Sequence, residues 1–137
     1  MNEKYIIDHQ GYAPVVEQGK TVGFQFRLRI PYYLGVPFSQ IAHIRAKLDG
    51  EDLPQEQLRV VASTGEVFRM EELVTVSSYF WEYGEKLRIQ ALLGEPLPAG
   101  RHRLDVDVSI DVIYGNKNFG SLCWDEFELE PAGKECG

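Results

Sequence analysis

Residues 104–114 alternate between apolar and polar side chains almost without exception, and this pattern limits the possible folds. Apolar side chains fill every even position from Leu104 to Tyr114, and polar side chains fill the odd positions from Asp105 to Asp111. Because successive side chains of a β-strand point to opposite faces, the pattern predicts a strand that is buried on one face. Pairing one residue out of register would move the whole apolar row into water. We therefore predict a central strand with its even positions in the core and its aspartates in solvent.

Three further segments show the same period of two, and each predicts a half-buried strand. Their apolar rows are Val22, Phe24, Phe26, Leu28 and Ile30; Ile44, Ala46 and Leu48; and Leu87, Ile89, Ala91 and Leu93. A last strand is expected to bury Leu122, Trp124, Phe127 and Leu129. That row skips one position, so it requires a bulge near Asp125 and Glu126.

Turn signals separate these segments at short intervals. Asp49-Gly50 is a strong hairpin signal, residues 63–66 read Ser-Thr-Gly-Glu, and residues 95–100 contain two prolines and a glycine. Helical turns are expected only around residues 54–58 and 70–73, where a plain loop is the alternative. Seven to nine short strands joined by turns predict an all-β, single-domain antiparallel β-sandwich. Residues 1–130 are expected to form this domain and residues 131–137 a loose tail.

The composition fits one globular domain and disfavours several functional classes. The 137 residues suffice for one core and are too few for two ordinary domains. With 14 basic and 21 acidic side chains, the net charge of −7 disfavours binding to nucleic acid or to anionic membranes. No apolar run approaches the roughly 20 residues needed to span a bilayer, and the N-terminus lacks an apolar leader. Because Cys123 and Cys136 form no disulfide framework, the expected location is the reducing cytoplasm.

Motifs for catalysis are mostly missing from the sequence. It has no G-x-S-x-G, no P-loop, no G-x-G-x-x-G and no H-E-x-x-H motif. The three histidines, His9, His43 and His102, lie far apart and have no metal-ligand neighbours at useful spacing. His102 follows Leu97 and Gly100, a pattern typical of the corner where the chain of a sandwich crosses between its sheets. We therefore expect the His102 ring to bond back to the loop backbone.

Asp105, Asp107 and Asp111 lie on one face of the predicted central strand. A carboxylate metal site is conceivable at such a row. The alternative is a solvated row, or one that pairs with Arg27 and Arg29 on a neighbouring strand. We favour the alternative, because a flat row of aspartates does not make a closed coordination shell.

Two aromatic stretches carry the remaining functional signal. Residues 29–39 leave a strand through Pro31, turn at Gly35 and are stiffened again by Pro37. Residues 79–83 read Tyr-Phe-Trp-Glu-Tyr, which places four aromatic side chains in five positions. We expect about half of these rings to fill the core and the rest to form an exposed recognition patch, since Tyr and Trp are enriched at interfaces.

Residues 29–41, which read RIPYYLGVPFSQI and follow Gly23-Phe24-Gln25, resemble the small β subunit of bacterial C-glycoside deglycosidases. Further marks of this family follow in the same order. They are Asp49-Gly50, Glu72-Leu73, Trp81 with Gly84, and the run Leu97-x-x-Gly100-x-His102-x-Leu104-x-Val106. The resemblance runs from Val22 to Tyr114.

The resemblance implies that the chain is a non-catalytic or accessory subunit of a hetero-oligomer. Such β subunits accompany a larger α subunit, a sugar isomerase-like TIM barrel that holds a divalent metal ion of the Mn or Mg type. Together they cleave the C–C bond between a 3-oxo sugar and an aromatic, flavonoid-like aglycone. The products are a 1,5-anhydro-hex-1-en-3-ulose and the free aglycone. This chain is expected to hold no cofactor, no metal and no catalytic residue.

The resemblance also implies which residues contact the partner subunit or line the aglycone pocket. The candidates are Arg29, Tyr32, Tyr33, Leu34, Val36, Phe38 and Trp81.

Three other functions are compatible with the same residues. A carbohydrate-binding or protein-interaction module would use the aromatic rings as a stacking surface. A free-standing enzyme would use His102 with Asp105 or Asp107. A structural domain would have no link to an enzyme.

Overall fold

The computed structural model describes residues 6–30, 35–82, 84–112 and 117–129, with the backbone alone for residues 112 and 117–121. Within these ranges strands dominate and every strand pair is antiparallel. The prediction of an all-β antiparallel fold is confirmed. The described helices are three 3₁₀ helices, Phe38–Gln40, Gln55–Gln57 and Met70–Thr75, and the last two lie where helical turns were expected.

Eleven strands are described in chain order, and three of them are only two residues long. They are β1 (Ala13–Glu17), β2 (Lys20–Leu28), β3 (Val36–Pro37), β4 (Ile41–Leu48), β5 (Glu51–Asp52), β6 (Leu58–Val61), β7 (Val67–Arg69), β8 (Phe80–Trp81), β9 (Leu87–Leu92), β10 (Arg101–Val112) and β11 (Lys117–Glu128). A five-stranded sheet has the order β1-β2-β9-β6-β7, and a four-stranded sheet has the order β11-β10-β4-β5. The short strands β3 and β8 form a separate pair.

Strand β10 is an inner strand of the four-stranded sheet, as the alternation predicts. It begins at Arg101 rather than at Leu104 and pairs with β11 on one side and β4 on the other. Its even positions from Leu104 to Ile110 are buried. The apolar rows of β2, β4 and β9 are buried in the same core, so side chains from both sheets fill the space between them.

The Asp49-Gly50 signal forms the predicted hairpin between β4 and β5. Both residues have positive φ, 53° for Asp49 and 87° for Gly50, and Leu48 pairs directly with Glu51. A two-residue loop with positive φ at both positions matches the twist of the flanking strands. The turn over residues 63–66 likewise joins β6 to β7.

Gly23 lies in the middle of β2, where a glycine normally weakens a strand. A Cβ atom at this position would lie only 1.9 Å from the carbonyl oxygen of Ala91 on β9. The register between β1 and β2 also shifts here, between Val15 and Val16. Glycine is therefore required for β2 to approach β9 so closely at this irregular point.

The last strand forms, and Phe127 and Leu129 pack in or against the core as predicted, but the predicted bulge and the burial of Leu122 and Trp124 are wrong. Strand β11 pairs with β10 without any shift of register from Arg101–Glu128 to Val112–Lys117, so it has no bulge. Its buried side chains are therefore Cys123 and Phe127, while Leu122 is 73% exposed and Trp124 is 49% exposed on the outer face. Trp124 is stabilised there by the Arg103 guanidinium, which lies 4.4 Å from the centre of the indole ring.

The predicted pairing of Arg27 and Arg29 with the aspartates of β10 is also wrong. Strand β10 is flanked by β11 and β4, whereas Arg27 lies on β2 in the other sheet. The aspartates find partners in their own sheet instead. These are Arg103 for Asp105 (2.9 Å), and His43 (3.1 Å) and Arg45 (4.0 Å) for Asp107.

The predicted tail, residues 131–137 with Cys136, lies outside the residues that the structure describes. The other cysteine, Cys123, is free and buried. In the described ranges no helix is long and apolar enough to cross a bilayer.

Candidate functional site

The two aromatic stretches singled out in the sequence come together at one end of the sandwich. Strand β3 follows directly after the segment of residues 31–34, and it pairs with β8 from the second stretch. Val36 lies opposite Trp81, and Pro37 lies opposite Phe80. Backbone hydrogen bonds from Phe38 to Tyr79 (2.8 Å) and from Ser39 to Val76 (2.8 Å) extend the contact.

Three of the predicted site residues, Val36, Phe38 and Trp81, are buried in the core at this end. Trp81 is the largest fully buried side chain among the described residues. Its indole Nε1 donates a hydrogen bond to the carbonyl oxygen of Glu85 at 3.1 Å. These side chains therefore hold the β3–β8 pair in place from within, rather than forming its outer surface.

The aromatic rings at this end extend from the core to the surface. Phe38, Phe68 and Tyr79 form a ring cluster with centroid separations of 5.1 to 6.2 Å. Phe80 points away from it and is 49% exposed. One ring of the second stretch is thus buried, one is half-buried and one is half-exposed, while Tyr83 lies outside the described residues.

Arg29 lies just after β2, and its side chain is 41% exposed. One of its terminal guanidinium nitrogens lies 3.8 Å from the carboxylate of the buried Asp8, and Lys86 Nζ lies 3.3 Å from the same group. Burial acts to raise the pKa of Asp8, but the Gln10 amide and the two cations outweigh it and lower the pKa. The Asp8 carboxylate therefore restrains the Arg29 side chain at the surface.

The remaining predicted residues, Tyr32, Tyr33 and Leu34, lie outside the residues that the structure describes. In the sequence they occupy the segment between Arg29 and β3.

A second polar cluster, at the edge where the two sheets meet, was not predicted. Asp125 on β11 accepts hydrogen bonds from His9 Nδ1 at 2.7 Å and from the Tyr12 hydroxyl at 2.9 Å. The Tyr12 ring stacks on Phe127 with centroids 4.0 Å apart. Burial, followed by the hydrogen bond to Asp125, raises the pKa of Tyr12. The cluster ties the segment before β1 to β11 across the open edge of the sandwich.

The sequence contains no local signal for this cluster, because 116 positions separate His9 from Asp125. A cleft of about 700 Å³ lies beside it and is lined by His9, Arg101, Trp124, Asp125 and Glu128 among others. Across the part of the chain that the structure describes, no group of three or more His, Cys, Asp or Glu side chains could hold a metal ion.

His102 forms the predicted corner. Its ring lies between two acceptors, with Nε2 2.7 Å from the Pro98 carbonyl oxygen and Nδ1 2.7 Å from an Asp49 carboxylate oxygen. Both nitrogens can donate only when the ring is protonated. Burial acts to lower the pKa of His102, but Asp49 and the Pro98 carbonyl outweigh it and raise the pKa.

Asp49 completes the corner, because its second carboxylate oxygen accepts the Arg103 amide at 2.8 Å. Burial acts to raise the pKa of Asp49, but the hydrogen bonds from His102 and Arg103 outweigh it and lower the pKa. The stabilisation from Asp49 is present above about pH 4 and is lost as the pH falls through its folded pKa. That from His102 is present below about pH 6.5 and is lost as the pH rises through its folded pKa.

This corner predicts a pH-dependent contribution to stability. His102→Phe should lower the free energy of unfolding, and the loss should shrink as the pH rises from 6 to 9, because the raised pKa of His102 makes its contribution largest when the ring is charged. Urea unfolding of both proteins across this range measures the difference. Parallel pH profiles of wild type and His102→Phe would show that the corner histidine is not charged.

A family model described as C-glycoside deglycosidase beta subunit matches residues 2–114. The chain belongs to this family, and residues 115–137, which include β11, lie beyond the match.

Two curated proteins are similar to this chain. The C-glycoside deglycosidase beta subunit of Eubacterium cellulosolvens is 27% identical over 103 residues, which cover 74% of this chain and 69% of that protein. The 3'-dehydrocarminate deglycosidase beta subunit of a Microbacterium species is 29% identical over 93 residues, which cover 67% of this chain and 68% of that protein. Both relatives are named as beta subunits.

Proposed function

We propose that this chain is the accessory subunit of a heteromeric, bacterial C-glycoside deglycosidase and works with a larger α subunit. The observation that carries the proposal is the match of residues 2–114 to the beta subunit family. Both similar proteins are named as beta subunits of deglycosidases, which presupposes a second kind of subunit. The proposal places the complex in the cytoplasm, where the buried free thiol of Cys123 would stay reduced.

The proposed reaction is a lyase reaction on a sugar that already carries a ketone at C3. A base removes the proton at C2, which the neighbouring ketone acidifies. The bond between C1 and the aryl carbon then breaks as the C1–C2 double bond forms, and the aryl carbon takes up a proton. The products are a 1,5-anhydro-hex-1-en-3-ulose and a free, flavonoid-like aglycone, so the atoms balance without water.

In the proposed division of labour, the base and a divalent metal ion of the Mn or Mg type belong to the α subunit, a sugar isomerase-like TIM barrel. The metal would supply electrophilic stabilisation of the negative charge that develops beside the ketone. This chain would stabilise the α subunit and close part of the aglycone pocket.

The aromatic end is the proposed contact with the α subunit. The described residues of this contact are Phe80, which is half-exposed beside the β3–β8 pair, and Arg29, whose guanidinium lies 3.8 Å from the Asp8 carboxylate. A restrained loop loses little conformational entropy when it docks, and exposed aromatic rings are common interface anchors. Tyr32, Tyr33 and Leu34 belong to the same proposed surface.

Phe80 gives the most direct test of this surface. Phe80→Ser should weaken binding of the α subunit about tenfold or more, because a truncated hot-spot ring costs about 2 kcal/mol. The melting temperature of this chain alone should change by no more than about 2 °C, since the ring is half-exposed. Titration of purified α subunit, read by light scattering or interferometry, measures the affinity.

Val16→Ser is the matched control, because Val16 is equally exposed but lies on β1 at the edge of the five-stranded sheet. It should leave the affinity unchanged. Equal affinities for wild type, Phe80→Ser and Val16→Ser would remove Phe80 from the interface.

A carbohydrate-binding or protein-interaction module is the second candidate function. The observation in its favour is the half-exposed indole of Trp124 beside the cleft that contains His9. Binding of this chain alone to a glycan array, abolished by Trp124→Ala, would support it over the accessory-subunit role.

A further inference from the structure

All eight arginines of the chain lie in the described ranges, and six of them have a carboxylate oxygen within 4.0 Å. The six are Arg29, Arg45, Arg59, Arg69, Arg101 and Arg103. The two exceptions are Arg27 and Arg88, which have no carboxylate partner in the part of the chain that the structure describes. The chain has 21 acidic side chains and a net charge of −7, yet neither of these two arginines faces a carboxylate among the described residues.

The two exceptions lie directly opposite each other. Arg27 on β2 and Arg88 on β9 are register partners at the centre of the five-stranded sheet. Like charges directly opposite across two strands destabilise a sheet. The stem of Arg27 packs over Gly11, where a Cβ would meet its Cγ at 2.9 Å, so the first part of the side chain is restrained.

Both arginines line one cleft of about 220 Å³. Its floor includes the buried side chains of Phe38 and Leu87. The other charged groups along the cleft already have partners. Lys86 lies 3.3 Å from Asp8, and the Glu85 carboxylate accepts the Glu82 amide at 3.1 Å. The cleft therefore presents two guanidinium groups that have no carboxylate within 4.0 Å among the described residues, although the Glu85 carboxylate also lines it.

We propose that Arg27 and Arg88 together bind a carboxylate, supplied in the complex by an aspartate or glutamate side chain of the α subunit. Paired guanidinium groups match the two oxygens of a carboxylate and form strong, charge-assisted hydrogen bonds. The cleft borders the aromatic end, because Phe38 lines it. Arg27, which also lines it, is two residues from Arg29 in the sequence. The inference rests on the proposed function, since that function supplies the partner.

The proposal predicts opposite effects on stability and on assembly. Arg27→Gln and Arg88→Gln should each leave the melting temperature of the isolated chain unchanged or raise it by about 1–3 °C, because a like-charge pair is removed. Each should weaken binding of the α subunit about tenfold or more, because a charge-assisted hydrogen bond is lost. Differential scanning calorimetry and partner titration measure the two quantities.

Arg45→Gln is the matched control, because it removes the same charge from the other sheet, where Arg45 faces Asp107. It should leave the affinity for the α subunit within about twofold of wild type. If Arg27→Gln and Arg88→Gln bind the α subunit as well as Arg45→Gln does, the carboxylate site is wrong although the accessory-subunit role stands. If wild type itself does not bind the α subunit, both fail.

A second measurement separates the partner's carboxylate from a free small one. Sodium acetate, compared with sodium chloride at equal ionic strength, should raise the melting temperature of wild type by about 1–2 °C more than that of Arg27→Gln. Such a shift shows that the pair accepts carboxylates. If acetate stabilises wild type and not the arginine variants, while those variants still bind the α subunit as tightly as wild type does, the α subunit does not supply the carboxylate.

Discussion

Trp81→Ala should unfold at a temperature about 10–20 °C below wild type, because it removes the largest fully buried side chain described in the protein. The loss of apolar contacts and the cavity left behind cost about 3–5 kcal/mol. The substitution also leaves the Glu85 carbonyl without the indole donor that lies 3.1 Å away. Trp81 pairs with Val36, so the β3–β8 pair and the proposed docking surface should be lost together.

Two further variants serve as comparisons. One keeps an aromatic ring at position 81, and the other removes the second tryptophan. Trp81→Phe keeps a six-membered aromatic ring but loses the five-membered ring and its N–H group, so it should cost about 1–3 kcal/mol, less than Trp81→Ala. Trp124→Ala removes the second tryptophan, which is half-exposed on the outer face, and should cost about 1 kcal/mol or less. Urea unfolding ranks the three variants. If Trp81→Ala and Trp124→Ala lose similar stability, Trp81 does not hold this end of the sandwich together.

The strands of the core could be predicted because their burial is decided by local alternation. Residues 104–110 face the core at every even position, as the pattern requires. The corner at His102 could also be predicted, because its hydrogen bond to Pro98 spans only four positions. Both features depend on neighbours that are close in sequence.

Strand β11 shows where local patterns mislead. Leu122 and Trp124 are apolar, and a simple reading of hydrophobicity assigns them to the core. The register with β10 instead points Cys123 and Phe127 inward, and the Arg103 guanidinium covers Trp124 from outside. An exposed tryptophan stabilised by a neighbouring strand cannot be recognised before the strand order is known.

The charged features were the least predictable for the same reason. Arg27 was assigned to the aspartates of β10, but its strand lies in the other sheet, opposite Arg88. The link between His9 and Asp125 spans 116 positions. In both cases the contact is created by the order of strands, which a single sequence does not specify, and not by the residues beside each group.

The aromatic end lies between these two extremes. The sequence singled out both of its stretches, and the structure brings them together through the β3–β8 pair. Which of their rings are buried could not be predicted, because Trp81 is buried while the adjacent Phe80 is half-exposed. The alternation of adjacent strand residues explains this difference once the pair is known.

The central claim is that this chain makes a partner subunit competent rather than catalysing the reaction itself. The family match over residues 2–114 supports the accessory role, and the partly exposed side chains of Phe80 and Arg29 are the groups that we propose for docking. An accessory role requires that activity belong to the complex and not to either chain alone.

The most direct measurement is turnover of a 3-oxo-C-glycoside by purified α subunit, by this chain, and by their equimolar mixture, with release of the free aglycone as the readout. We expect turnover by the mixture and none by this chain alone. The α subunit alone should be at least about a hundredfold slower than the mixture, which is equivalent to about 2.7 kcal/mol in the activation barrier. Turnover by this chain alone, or an α subunit that is equally active without it, would contradict the account.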